Sequence, residues 1–143
     1  MPAGGPIWVG ASYNPQLARD LLGATERFDH LAMSGPPRPE DRYFAEIPSH
    51  FVLLVHDLHE TVGPIADPID ATNVERAREL VALLRAPWAV LQVRCSSTEP
   101  LDLDVDHPLP PVYSVDMLER LTTQAKSLAE RIGAPLVLEN VPN

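Results

Sequence analysis

Short apolar runs alternate along this chain with amphipathic or proline-rich stretches. The most continuous run is Phe51-Val52-Leu53-Leu54-Val55, which stops at His56 and Asp57, with His59 two residues on. An apolar run without a polar break predicts a strand buried on both faces, the environment of a parallel sheet covered by helices. Further runs predict strands over residues 7–13, 28–33, 88–93 and 135–138, the last ending at Glu139 and Asn140.

The intervening stretches carry helix signals. Asn14 followed by Pro15 predicts an N-cap with proline at the first helical position, with Leu17, Leu21 and Leu22 on one face and Gly23 at the end. Thr72 and Glu75 have the spacing of a capping box, and Val74, Ala77, Leu80, Val81 and Leu84 form the inward stripe of the helix it opens. Ser114 predicts the N-cap of a long helix with Val115, Leu118, Leu121, Ala125, Leu128 and Ile132 facing inward and Gly133 closing it. Residues 36–48 are proline-rich and charged, and read as a loop with one helical turn around residues 41–46. The sum is an α/β chain of about four βα units and a fifth parallel strand, joined by right-handed crossovers.

Length keeps this to one domain: 143 residues is well short of the ~250 of a closed eight-stranded barrel. A net charge of −9 argues against nucleic acid or an anionic membrane as partner. No apolar run approaches the ~20 residues that span a bilayer. The first residues show neither a basic region nor an apolar one, and Cys95 is the single cysteine, so a cytoplasmic protein without an internal disulfide is expected.

Parallel strands place their carboxyl ends on one rim, where α/β proteins carry their chemistry. Here that rim collects Asn14, Ser34, His56, Asp57, His59, Arg94, Cys95, Glu139 and Asn140. His56 and Glu139 are the candidate metal ligands, because imidazole nitrogen and carboxylate oxygen suit iron, manganese or zinc. The same residues allow a purely structural account, with His56 bonded to a loop and Glu139 paired with Arg94. Arg94 suits a substrate carboxylate or phosphate equally well. Cys95 reads as a small buried residue rather than a nucleophile. Asp102, Asp104 and Asp106 alternate as in calcium loops but lack the glycine and the terminal glutamate of such a loop. No glycine-rich phosphate loop, nucleophile elbow or CxxC pair is present in the sequence.

Several of these residues occur together in a familiar order. They are His56 ending a strand, Gly63, Pro68-Ile69-Asp70 opening a helix, His107-Pro108-Leu109-Pro110-Pro111-Val112-Tyr113-Ser114 before the long helix, and Leu138-Glu139-Asn140-Val141 ending the fifth strand. In this the chain resembles the first half of the multinuclear non-haem iron-dependent oxidase family. The resemblance covers most of the chain from about residue 7. It implies a partial (β/α)8 TIM barrel of the xylose-isomerase-like type, with two or three iron ions at its carboxyl rim. It also implies oxidative modification of ribosomally made precursor peptides, with a partner protein that presents the peptide. By position, His56 matches the iron-ligand histidine after the third strand and Glu139 the iron-ligand glutamate of the Leu-Glu-Asn motif; Arg94 and Asn140 become the candidate substrate-binding residues.

Three positions depart from the family pattern. The fourth strand of the family ends Ser-Glu-His where this chain has Gln92-Val93-Arg94, Ala32 stands for an acidic residue after the second strand, and Asp57 for a glycine. Two ligands do not hold a multinuclear site, so the expectation is a truncated or degenerate paralogue, or a half-barrel completed by self-association or a second chain. The alternatives are a non-catalytic binding or scaffolding paralogue and a metal-dependent sugar isomerase or epimerase on a similar barrel.

Overall fold

Strand β3 (Val52–Val55), buried at three of its four residues, is the middle strand of the sheet. The computed structural model describes residues 8–56, 58, 65, 69–93 and 114–140. Within them five strands form one sheet: β1 (Gly10–Ser12), β2 (His30–Met33), β3, β4 (Ala89–Val93) and β5 (Leu136–Asn140). They pair in sequential order and every pair is parallel. The helices are α1 (Ala18–Leu22), α2 (Ala71–Leu84) and α3 (Val115–Ile132), and a 3-10 turn at Ile47–Ser49 precedes β3. The β2–β3 connection, read as a loop with a helical turn around residues 41–46, has hydrogen-bonded turns there that lead into the 3-10 turn. The Phe44 N–H donates to the Asp41 carbonyl and the Glu46 N–H to the Tyr43 carbonyl.

Sequential order with right-handed crossovers puts the helices on one face of the sheet. Burial follows that face: Leu31, Met33, Leu53, Val55, Ala89, Leu91 and Val93 join Leu21 of α1, Val74, Ala77, Leu80, Val81 and Leu84 of α2, and Leu121, Leu128 and Ile132 of α3 in one core. Fully buried leucines such as Leu31 and Leu91 each contribute about 1.5–3 kcal/mol of apolar burial. The opposite face is more open: Leu54 is buried, but Ala32, Val52, Val90 and Gln92 are half-exposed. On this face at the amino end, Trp8 and Trp88 have ring centroids 6.0 Å apart, although they precede β1 and β4, which have two strands between them.

Gly10 also lies on the open face, paired in register with His30. A Cβ at Gly10 would fall 1.9 Å from Nε2 of His30, so glycine is what lets the imidazole lie over β1.

Helix starts differ from expectation in two places. The Asn14 side chain accepts a hydrogen bond from the Gln16 N–H at 2.9 Å, forming a turn, and α1 begins only at Ala18. An asparagine that closes a local turn is competing with the helix rather than capping it. Gly23 does end α1, its N–H donating to the Arg19 carbonyl. In α2 the N-cap is Asp70, not Thr72: its Oδ1 accepts from the Thr72 N–H at 2.7 Å and the Asn73 N–H at 3.4 Å. Glu75 is drawn instead into a bidentate pair with Arg78, one turn along the helix. The stripe of α2 is as expected, with all five residues buried.

The Ser114 cap of α3 is present, with Oγ 3.1 Å from the Met117 N–H, and Gly133 closes the helix in the left-handed region at φ 75°. The stripe of α3 is narrower than the sequence suggested. Leu121, Leu128 and Ile132 are buried and Ala125 and Met117 pack on the core, whereas Val115 and Leu118 are exposed. At ~100° per residue, Met117 lies roughly 40° from Leu121 around the helix, on the buried side, while Leu118 lies roughly 60° and Val115 roughly 120° away in the other direction.

Candidate functional site

The end of β3 is tied on both sides. The His56 N–H donates to the Met33 carbonyl of β2 at 2.8 Å, and the Leu58 N–H donates to the Val90 carbonyl of β4 at 3.1 Å. Leu58 is itself fully buried. His56 is therefore fixed by its backbone between two neighbouring strands, at the carboxyl end of the sheet.

Period-two alternation decides which way the side chain points. Leu53 and Val55 face the helices, so Leu54 and His56 belong to the open face. The same alternation applies on β5. Glu139 is in register with Gln92 of β4 and shares its face. Glu139 and Asn140 lie within β5 rather than beyond it, because the parallel ladder to β4 continues through Val93 and Asn140.

The two side chains meet. His56 Nε2 lies 3.7 Å from Glu139 Oε2, and both side chains are partly exposed, at 34% and 44%. That separation is too long for a hydrogen bond. Two donors on one divalent ion at ~2.1 Å each would stand ~3.0–3.5 Å apart, so a shift of a few tenths of an ångström would let them share one. Oε2 of Glu139 is buried and accepts no hydrogen bond from a described residue. An inward acceptor oxygen beside an imidazole nitrogen is a donor pair suited to a divalent cation. Among the described residues no group of three or more His, Cys, Asp or Glu side chains gathers into a metal cluster.

The remaining expected residues distribute as follows. Asn14 and Ser34 follow β1 and β2 on the same rim. Asn140 is placed by its backbone pairing with Val93. Arg94, Cys95, Asp57, His59 and the acidic stretch 97–113 lie outside the described residues.

A second constellation on this rim was not anticipated. Tyr13, just past β1, donates its hydroxyl to Oδ2 of Asp41, and its ring meets Phe44 edge-on with centroids 6.0 Å apart. Burial, and then the hydrogen bond and negative charge of Asp41, push the Tyr13 phenol well above its ordinary range. Oδ1 of Asp41 is buried and has no hydrogen-bond partner among the described residues. Beside this pair opens a cavity of about 450 Å3 lined by Asn14, Gln16, Arg38, Glu40, Asp41 and Arg42, among others. The available signal was the density of charge in residues 38–42, which reads equally well as a solvated loop. Gln92, the register partner of Glu139, was likewise visible only as a departure from a family pattern.

Comparison with known protein families and with curated proteins finds no match to this chain. Among the described residues no helix is long and apolar enough to cross a membrane.

Proposed function

We propose that this chain is the first half of a (β/α)8 barrel of the multinuclear non-haem iron-dependent oxidase type, and that His56 and Glu139 are ligands of a divalent iron site on its carboxyl rim. The observation that carries the reading is the approach of His56 Nε2 to Glu139 Oε2, 3.7 Å apart, from two strands that are not neighbours. Support for the barrel comes from the all-parallel sequential sheet, the helices on one face, and the Trp8–Trp88 contact across the other.

The ion would be held by the imidazole nitrogen and the carboxylate, and further ligands would have to come from outside this pair. When bound, iron in this setting supplies oxidative chemistry towards a peptide side chain. The chain's own part is to hold the two donors: β2 and β4 fix the His56 backbone, and pairing with β4 fixes Glu139. The substrate class in this reading is a ribosomally made precursor peptide, presented by a partner protein, with Arg94 and Asn140 as the contacts to its polar groups. The setting in this reading is cytoplasmic.

The test is metal analysis of protein purified without oxygen. Iron is expected to copurify with the natural chain and to be lost from both His56→Ala and Glu139→Gln. Absence of iron from the natural chain after reconstitution with ferrous ion, or equal iron in all three proteins, overturns the proposal. Binding of a precursor peptide that is indifferent to a chelator and to both substitutions would instead assign the chain to a scaffolding role.

A further inference from the structure

We propose that the cavity above β1 and β2 is a binding site for a peptide segment carrying a single carboxylate, held by Arg38 and Arg42. It lies on the same rim as His56 but uses different residues, and it needs no metal there.

The lining comes from two loops. Asn14 and Gln16 follow β1, and residues 38–43 follow β2. The Tyr13–Asp41 hydrogen bond joins the segment after β1 to the loop after β2, so the walls are held relative to one another. At about 450 Å3 the cavity is of a size that binds small ligands.

Its charges define the occupant. Arg38 and Arg42 both line the cavity, and neither forms an ion pair with a described residue. Asp41 gives Oδ2 to the Tyr13 hydroxyl, and its Oδ1 is buried away from solvent. The Asn14 Oδ1 is turned back to the Gln16 N–H, which leaves the Asn14 amide nitrogen as a donor. Two guanidiniums and an amide donor make a setting for an oxyanion, and a planar carboxylate matches a guanidinium in bidentate fashion. Glu40 in the same lining, and a net charge of −9 on the chain, oppose a multiply charged anion such as phosphate. They favour a ligand with one negative charge and N–H donors of its own for Glu40. A peptide bearing an aspartate or glutamate has both.

The experiment uses the full chain and the acetylated, amidated tripeptide Gly-Glu-Gly, with Gly-Gln-Gly and inorganic phosphate as comparisons, read by amide chemical shifts and titration in the presence of a chelator. The Glu peptide is expected to shift the amides of Asn14, Gln16, Arg38 and Arg42, and the Gln peptide to bind about tenfold more weakly. The double substitution Arg38→Gln/Arg42→Gln should abolish the difference between the two peptides. Glu40→Gln keeps a side-chain oxygen for the peptide N–H and removes only the like charge, so it should tighten binding of the Glu peptide by about two- to fivefold, a gain that misfolding cannot produce. Equal binding of the two peptides, tighter binding of phosphate at these residues, unchanged affinity in the double variant, or weaker binding in Glu40→Gln each overturns the assignment. Because the titration excludes metal, loss of the iron reading would leave this result standing, and the reverse is also true.

Discussion

His56 Nε2 and Glu139 Oε2 face each other at 3.7 Å, although β4 lies between the strands that carry them. The approach follows from two registers. Val55 pairs with Ala89, and Ala89 with Leu136, so His56 is level with Val137, and Glu139 stands one position higher on the same open face.

If both residues hold one ion, their contributions are not independent. His56→Ala and Glu139→Gln are each expected to weaken iron binding by at least about 100-fold, beyond the ~10–100-fold cost of losing an outer-shell partner. The double variant should lose little more than either single one, since the first loss already removes the shared ion. Additive losses in a metal titration would show that the two residues bind separately.

Gly10→Ala places a methyl group against the His30 imidazole, which lies over β1. The expected cost is about 1–3 kcal/mol, the range for forcing extra volume into a packed site. In a His30→Ala background the same substitution should cost much less. Urea unfolding of the four proteins checks this, and an undiminished cost in that background would place the strain in the backbone rather than the ring.

Tyr13 gives an alkaline signature. Its folded-state phenol holds its proton to higher pH than the unfolded chain, where tyrosine titrates near pH ~10. The stability it contributes is therefore complete below pH ~10 and is lost as the pH rises through the folded value. Tyr13→Phe should remove the late-titrating part of the 295 nm absorbance. The stability difference between the two proteins should stay constant below that pH and fall above it; a difference that grew with pH would contradict the Asp41 contact.

Strand β5 is the outer strand of the sheet among the described residues, and Val137 and Leu138 are 47% and 46% exposed. An exposed apolar edge strand recruits partners. The natural chain is expected to scatter light as a concentration-dependent assembly, and Val137→Lys to shift it towards the monomer. A natural chain that stays monomeric at every concentration would remove the basis for self-association.

The fold was legible where composition and periodicity agree. Phe51 to Val55 was legible as a buried strand, although helices cover only one face of the sheet among the described residues and Val52 is half-exposed, and the α2 stripe left one possible face inward. Local competition was harder to read. Asn14, Asp70 and Thr72 are all capable caps, and only the path of the chain decided that Asn14 closes a turn and Asp70 starts α2. In α3, Leu118 and Met117 are equally apolar on paper, and the position of the core selected Met117.

The sequence by itself determined the strands, the inward stripe of α2 and the placement of His56 and Glu139 at strand ends. It could do so because hydrophobic burial is written in local spacing. Only the tertiary structure decided that His56 and Glu139 meet across β4, that Tyr13 reaches Asp41, and that Arg38 and Arg42 share a cavity. Those depend on register between strands and on the course of a loop, each set by contacts between residues far apart in the chain.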